Sequence, residues 1–147
     1  MTLSRRCIRT LCCFASLAAG AALGQSVQEP YQPSVGQAGK NVVWVPTPPA
    51  LVEKMLDMAQ VTPDDVVMDL GSGDGRNIIA AAKRGARAHG IEYNGELVEL
   101  SKSLAAKERV SDRATFERGD VFAADFSKAT VVVLFLTPEM NIRLRPK

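Results

Sequence analysis

Three acidic residues and one glycine-rich turn carry the chemistry this chain can offer. The stretch Asp69-Leu70-Gly71-Ser72-Gly73-Asp74-Gly75 follows the apolar run Val66-Val67-Met68 and precedes a helix-type segment opening at Arg76. Glycines at alternate positions let the backbone turn sharply and pass close to a ligand, where any Cβ would collide. The amides of Gly73 to Arg76 are then expected to face outward at a helix N-terminus, toward an anionic or polar group. Asp69 stands at the carboxyl end of a strand, where open α/β sheets bind their ligands. Glu92 ends a second strand, 17 residues after Gly75, and is placed to accept both hydroxyls of a ribose. Asp120 ends a third strand beside Val121 and Phe122. It can accept from the exocyclic amine of a base while its neighbours flank the ring. Each feature has a plainer alternative: a structural turn, a solvated strand-end acid, a turn former. Together they describe a site for a nucleoside with a polar tail.

Competing chemistries lack their residues. The loop reads G-x-G-x-G, not the G-x-G-x-x-G of a dinucleotide site, which disfavours a nicotinamide oxidoreductase. No Lys-Ser/Thr pair follows the glycines, so a phosphate-binding loop for nucleoside triphosphates is disfavoured as well. The lone histidine, His89, lies inside the second strand and reads as a packed residue. All three cysteines (Cys7, Cys12, Cys13) precede residue 25. A His/Cys metal centre and a Ser-His-Asp triad therefore have no partner set, and no metal is expected.

Alternating apolar patterns supply the elements that must hold these groups. Leu51, Val52, Met55, Leu56 and Ala59 form a helical stripe ending near Gln60. After the glycine loop, Ile78, Ile79 and Ala82 mark the buried side of a helix that Gly85 stops. The second strand covers Ala86 to Tyr93. Asn94 caps the next helix, with Leu97, Leu100 and Leu104 along one face. A third strand spans Ala114 to Glu117. Val131 to Leu136 reads as a central parallel strand covered on both faces. Strands and helices in this alternation imply right-handed crossovers and an α/β, doubly wound, mainly parallel sheet.

The N-terminus is a separate matter. Residues 1–24 combine Arg5, Arg6 and Arg9 with the apolar run Leu11 to Leu23 and a small-residue end at Ala22-Leu23-Gly24. That is the pattern of a secretory signal peptide, with an uncleaved membrane anchor as the alternative. Export to the periplasm or outside the cell is the expectation. Membrane contact is expected only through an uncleaved leader. Removing the leader leaves 15 basic against 16 acidic residues, so the basicity of the full chain gives no argument for nucleic acid binding. Residues 25–40, rich in Gln, Gly, Pro and Ser, read as a flexible linker, and the domain proper as 41–147.

From Val45 to Lys147 the chain resembles class I S-adenosylmethionine-dependent methyltransferases. Asp69 to Gly75 matches their first motif, Ile91-Glu92-Tyr93 the second-strand acid and Gly119-Asp120-Val121 the adenine-side acid. Val45-Pro46-Thr47-Pro48, the long form through Arg76, and Ala129 through Thr137-Pro138-Glu139-Met140-Asn141 are similar to the proteins related to ATP synthase c-subunit lysine N-methyltransferases. The resemblance implies a Rossmann-like core and S-adenosylmethionine as cofactor. It implies that Asp69 and the backbone of Gly71, Ser72, Gly73 and Gly75 hold the methionine end. Glu92 would take the ribose, Tyr93 pack on the base, and Asp120 with Val121 meet the adenine. Glu139 and Asn141 are candidate acceptor contacts, Val45 to Pro49 a candidate lid, and a protein lysine amine the implied acceptor. The family fold continues with a further helix and about three strands, so the sheet is expected to lack its last strands and the chain to be truncated at its C-terminal end. A non-catalytic exported nucleoside-binding module and an inactive fragment are the alternative readings.

Overall fold

The computed structural model describes residues 31–145, so the leader, residues 25–30 of the expected linker and the last two residues lie outside it. Four strands alternate with helices: α1 (Pro49–Met58), β1 (Val66–Leu70), α2 (Arg76–Lys83), β2 (Arg87–Glu92), α3 (Gly95–Lys107), β3 (Ala114–Arg118), β4 (Val131–Val133) and α4 (Pro138–Leu144). The sheet order is β3-β2-β1-β4 and every pairing is parallel. The chain steps outward from β1 to β3, then crosses back to place β4 on the other side of β1. This is the expected doubly wound arrangement, and its direction reverses between β1 and β4. Such a switch point opens a crevice at the carboxyl ends of the two strands.

Alternation along β1 divides the core. Val67 joins Val52, Leu56, Ile78, Ala82, Val98 and Phe116 on the face covered by α1, α2 and α3. Met68 and Leu70 point the other way, to Ile91, Val121, Met140 and Leu144. Both clusters are needed because a parallel sheet has no face that tolerates water.

Three expectations are corrected in detail. In α1 only Val52 and Leu56 are buried, the helix ends at Met58, and Leu51 stays exposed. In α3 the buried face is Leu97, Val98, Ser101 and Ala105 rather than Leu97, Leu100 and Leu104. The helix is turned because Ser101 packs under the glycine loop, its hydroxyl donating to Leu97 O and Gly73 O. Finally, the apolar run from Val131 yields a strand of three residues, and β4 is an edge of the described sheet. Val132 within it is 38% exposed, and Leu134 and Phe135 just after it are 37% and 48% exposed, so the run is not covered on both faces.

Part of the expected linker is folded. Ala38 bridges Val43 antiparallel, Gly36 N–H donates to Trp44 O, and Trp44 N–H donates to Gln37 O. The hairpin turns over Gly39 to Val42, where Gly39 N–H donates to Val42 O.

The fold places two residues under strain or cost. Gly75 caps α2 at φ +80°, and a Cβ there would lie 2.6 Å from Phe116 Cε1 and 2.9 Å from Ser101 Cβ. Left-handed backbone and overpacking each cost, so Gly75→Ala is expected to lose about 2–4 kcal/mol of unfolding free energy in a urea titration. Asp69 is wholly buried, and Asn77 Nδ2 donates to its Oδ2 at 2.9 Å. Desolvation raises its pKa to about 7; the Asn77 bond opposes this, and the charges of Glu92 and Asp74 add to it. The unfolded chain releases this proton near 3.8 while the folded chain holds it to about 7. Across that window rising pH therefore favours unfolding, and the penalty is complete above it. Asp69→Asn should gain stability relative to the parent chain by on the order of a few kcal/mol between about pH 4 and pH 8, read from urea titrations at the two ends.

Candidate functional site

The loop after β1 is held from three directions. Gly71 and Ser72 N–H both donate to Ile91 O on β2, at 2.8 and 3.0 Å. Gly73 N–H donates to Glu92 Oε2 at 3.0 Å. Gly75 N–H closes the turn on Ser72 O, and Arg76 N–H reaches Asp74 Oδ1. The amides of Gly73, Gly75 and Arg76, expected to face outward toward a ligand, meet Glu92, the loop's own Ser72 carbonyl and Asp74 instead, and so hold the turn's shape. Glycine is required at two of these positions for contact as well as backbone. A Cβ on Gly71 (φ +90°) would strike the Leu136 side chain, and one on Gly73 (φ +56°) would lie 2.7 Å from Trp44 Nε1.

Glu92 ends β2 with both carboxylate oxygens engaged, Oε2 by Gly73 N–H and Oε1 by Asn94 N–H at 2.9 Å. Each oxygen keeps a further lone pair for a hydroxyl donor. Asn94 then caps α3, its side chain accepting from Glu96 N–H. Asp120 lies in the turn after β3, with Oδ1 accepting from Phe122 N–H and Oδ2 from Lys40 Nζ at 2.7 Å. The Lys40 bond, followed by that of Phe122, lowers the Asp120 pKa, and the Lys40 pKa is raised through the same contact. Lys40 also stands 4.7 Å from the Tyr93 ring centre.

These groups wall a cavity of about 310 Å³ at the switch point, near the lower end of the ~300–1,000 Å³ typical of small-molecule sites. Gly71, Glu92, Tyr93, Asp120 and Val121 line it together, as their positions at the strand ends led one to expect. Ser72 and Gly73, with Gly71 again, line a second space of about 30 Å³. Trp44, Val45 and Phe135 border both, so the spaces adjoin. Ser72 Oγ and Asn77 Oδ1, on two residues that border the smaller one, are shielded from solvent and have no hydrogen-bond partner. Buried polar atoms without partners at the edge of such a space fit a polar ligand tail that completes their bonding.

Four candidates lie elsewhere. Asp69 borders neither space; it is buried beneath the loop and acts on it through Asn77. Gly75 packs on Phe116 and Ser101. Glu139 and Asn141 do not line the cavity, because α4 turns Met140 inward and Glu139 out to solvent. From that region it is Thr137, the N-cap of α4, and Met140 that face the space. The hairpin contributes a wall carrying Lys40, Val42 and Trp44; of these Lys40 falls in the stretch expected to be flexible linker, and Val42 and Trp44 in the expected domain. The one sequence signal for it was Val43-Trp44-Val45, a large apolar cluster directly before Pro46. Among the described residues no cluster of His, Cys, Asp or Glu could hold a metal ion.

The comparisons agree with this geometry. The ANTKMT methyltransferase domain model matches residues 69–147. A protein-lysine N-methyltransferase of Saccharolobus islandicus is 44% identical over 109 residues, which are 73% of this chain and 68% of that protein. The human lysine N-methyltransferase of the ATP synthase c-subunit is 38% identical over 104 residues, 71% of this chain and 44% of its own length. The chain thus spans about two thirds of the archaeal relative and less than half of the human one. Among solved structures, an RNA methyltransferase from Salinibacter ruber in complex with S-adenosyl-L-homocysteine superposes with a TM-score of 0.68 at 48% identity, covering 69% of this chain and 67% of that one. A SAM-dependent methyltransferase from Geobacter sulfurreducens, also with S-adenosyl-L-homocysteine, gives 0.53 at 28% identity over 58% of this chain and 35% of that one. With its strand order, its glycine loop and the acids that close it, the chain belongs to the ANTKMT methyltransferase domain family of S-adenosylmethionine-dependent methyltransferases.

Proposed function

We propose that this chain transfers a methyl group from S-adenosylmethionine to the amine of a protein lysine. The observation that carries the reading is the cavity at the switch point, where Glu92, Tyr93, Asp120 and Gly71 meet in a member of this family. When bound, the cofactor supplies an electrophilic methyl on a sulfonium. The chain's residues have to position the acceptor and desolvate it, so that the amine arrives neutral with its proton left to water. Glu92 would accept from the ribose hydroxyls, and Asp120 from the adenine amine beside Val121 and Tyr93. Ser72 Oγ and Asn77 Oδ1 would accept from the amino-acid end. Asp69 then serves as a positioning residue that holds Asn77 and, through it, the start of α2. Trp44, Val45, Phe135 and Leu136 form an apolar border that disfavours an ammonium and favours the neutral amine needed for attack.

That border and the protein-lysine N-methyltransferase among the relatives support this acceptor class. The Salinibacter ruber neighbour is named as an RNA methyltransferase, and Lys40, Arg118 and Arg143 stand around the mouth, so RNA is the acceptor to test against. Exposed Val43, Val45 and Phe135 favour a peptide. Incubation with labelled cofactor and cell extract, digested separately with protease and ribonuclease, is expected to leave label only in the lysine of protein. Label confined to ribonuclease-sensitive material would reverse the assignment.

We also propose that the basic and then apolar residues 1–24 direct export or anchor the chain. A fusion of that segment to a reporter active only outside the cytoplasm tests this, and a silent reporter would refute it.

Cofactor binding is the direct test. Calorimetry with S-adenosylhomocysteine is expected to show saturable binding, weakened about ten- to hundredfold by Glu92→Gln, which removes a charged acceptor. Because Glu92 also holds Gly73, the variant's thermal unfolding is measured beside it. A cooperatively folded parent chain that does not bind would overturn the reading.

A further inference from the structure

We propose that residues 37–44 form a latch that closes the nucleoside cavity in cis, with Lys40 as the group that holds it shut. The inference rests on the nucleoside reading of the cavity and adds what controls entry to it. Lys40 sits in the turn of the hairpin, 80 residues from Asp120 in sequence, and its Nζ stands 2.7 Å from Asp120 Oδ2. The same ammonium stands over the Tyr93 ring at 4.7 Å from its centre.

Asp120 and Tyr93 are the two groups that would meet a base, one by accepting from its amine and the other through its face. A single side chain of the hairpin therefore occupies both, donating to the acid as an exocyclic amine would and covering the ring as a base would. The far end of the hairpin is fixed independently. Trp44 packs against Gly73, whose missing Cβ leaves room for the indole, and its backbone pairs with Gly36 and Gln37. Val42 packs against the apolar cluster around Met68 and Val121, so motion of Gly39, Lys40 and Asn41 between these two anchors would free the pocket without unfolding the sheet.

The contacts at the tip are of reversible strength. The Lys40 and Asp120 side chains are 39% and 34% exposed, so water screens the pair. An exposed ion pair and an exposed cation–ring contact each bias a population a few-fold. A ligand that needs the open state has its apparent affinity reduced by the fraction that is open.

The test uses the full chain and Lys40→Met, which keeps the aliphatic length and removes the charge. In calorimetry with S-adenosylhomocysteine the variant is expected to bind about three- to thirtyfold more tightly than the parent. Trp44, the single tryptophan of the chain, sits at the fixed end, so unchanged emission in the variant checks that the hairpin stays docked there. Binding by the parent should tighten in about 1 M NaCl, where exposed charge pairs are screened, and binding by the variant should be insensitive to salt. Lys40→Gln, whose amide still donates to Asp120 without charge, should fall between the two and replaces the Met variant if that one does not fold cooperatively. Equal or weaker binding by the uncharged variants would overturn the latch while leaving the cofactor site intact. If the parent and the variants fold but none binds, the nucleoside reading fails and the latch fails with it.

Discussion

The carboxylate of Glu92 is the contact on which the site depends. It takes the amide of Gly73 on one oxygen and that of Asn94 on the other, so the loop leaving β1 and the turn leaving β2 are fastened to one side chain. Charge-assisted bonds to backbone amides are stronger and shorter than neutral ones, and here they stand beside two further bonds from Gly71 and Ser72 to Ile91 O. The glycine turn is thereby set before any ligand arrives. Its left-handed glycines, the burial of Asp69 beneath it and the placement of Ser101 and Phe116 against Gly75 all follow from a loop held in that position.

Electrostatics in this small volume are arranged in layers. Asp69 lies deepest, where desolvation outweighs its bond to Asn77 and raises its pKa to about 7. Glu92 stands at the wall, held by amides. Asp120 stands at the mouth, where a lysine and a backbone amide lower its pKa. Asp69 and Asp120, two carboxylates of the same intrinsic acidity, are shifted in opposite directions by depth and partners alone. The outermost is the one able to exchange partners, and the innermost the one that shapes the loop.

Much of this was legible in the residues because it is local. Strand, glycine turn and helix follow one another within residues 66–83, and the periodicities that mark them do not depend on distant contacts. Strand ends are legible in the same way, so Glu92 and Asp120 could be placed at the carboxyl edge of the sheet. The helical faces were less secure. In α3, Ser101 rather than Leu100 takes the buried side because it packs beneath the glycine loop against Gly73 and Gly75, a constraint that no periodicity within α3 encodes. Glu139 and Asn141 do not line the cavity for a similar reason. A helix start can be read from Thr137 and Pro138, but which of the next residues turns inward is set by the apolar cluster around Met68 and Val121.

What the sequence determined by itself was the cofactor half of the pocket: the glycine turn, the acids at successive strand ends, and the absence of residues for phosphate-loop, metal or triad chemistry. Tertiary structure alone decided the other wall. Gly39, Lys40 and Asn41 carry no local signature of a binding site, and a Gln-, Gly- and Ser-rich stretch resembles any linker. Its role comes from an antiparallel bridge of one residue pair and a contact reaching 80 positions along the chain. Local patterns record what a residue prefers near its neighbours. They do not record which surface a weakly biased segment meets once the sheet has formed.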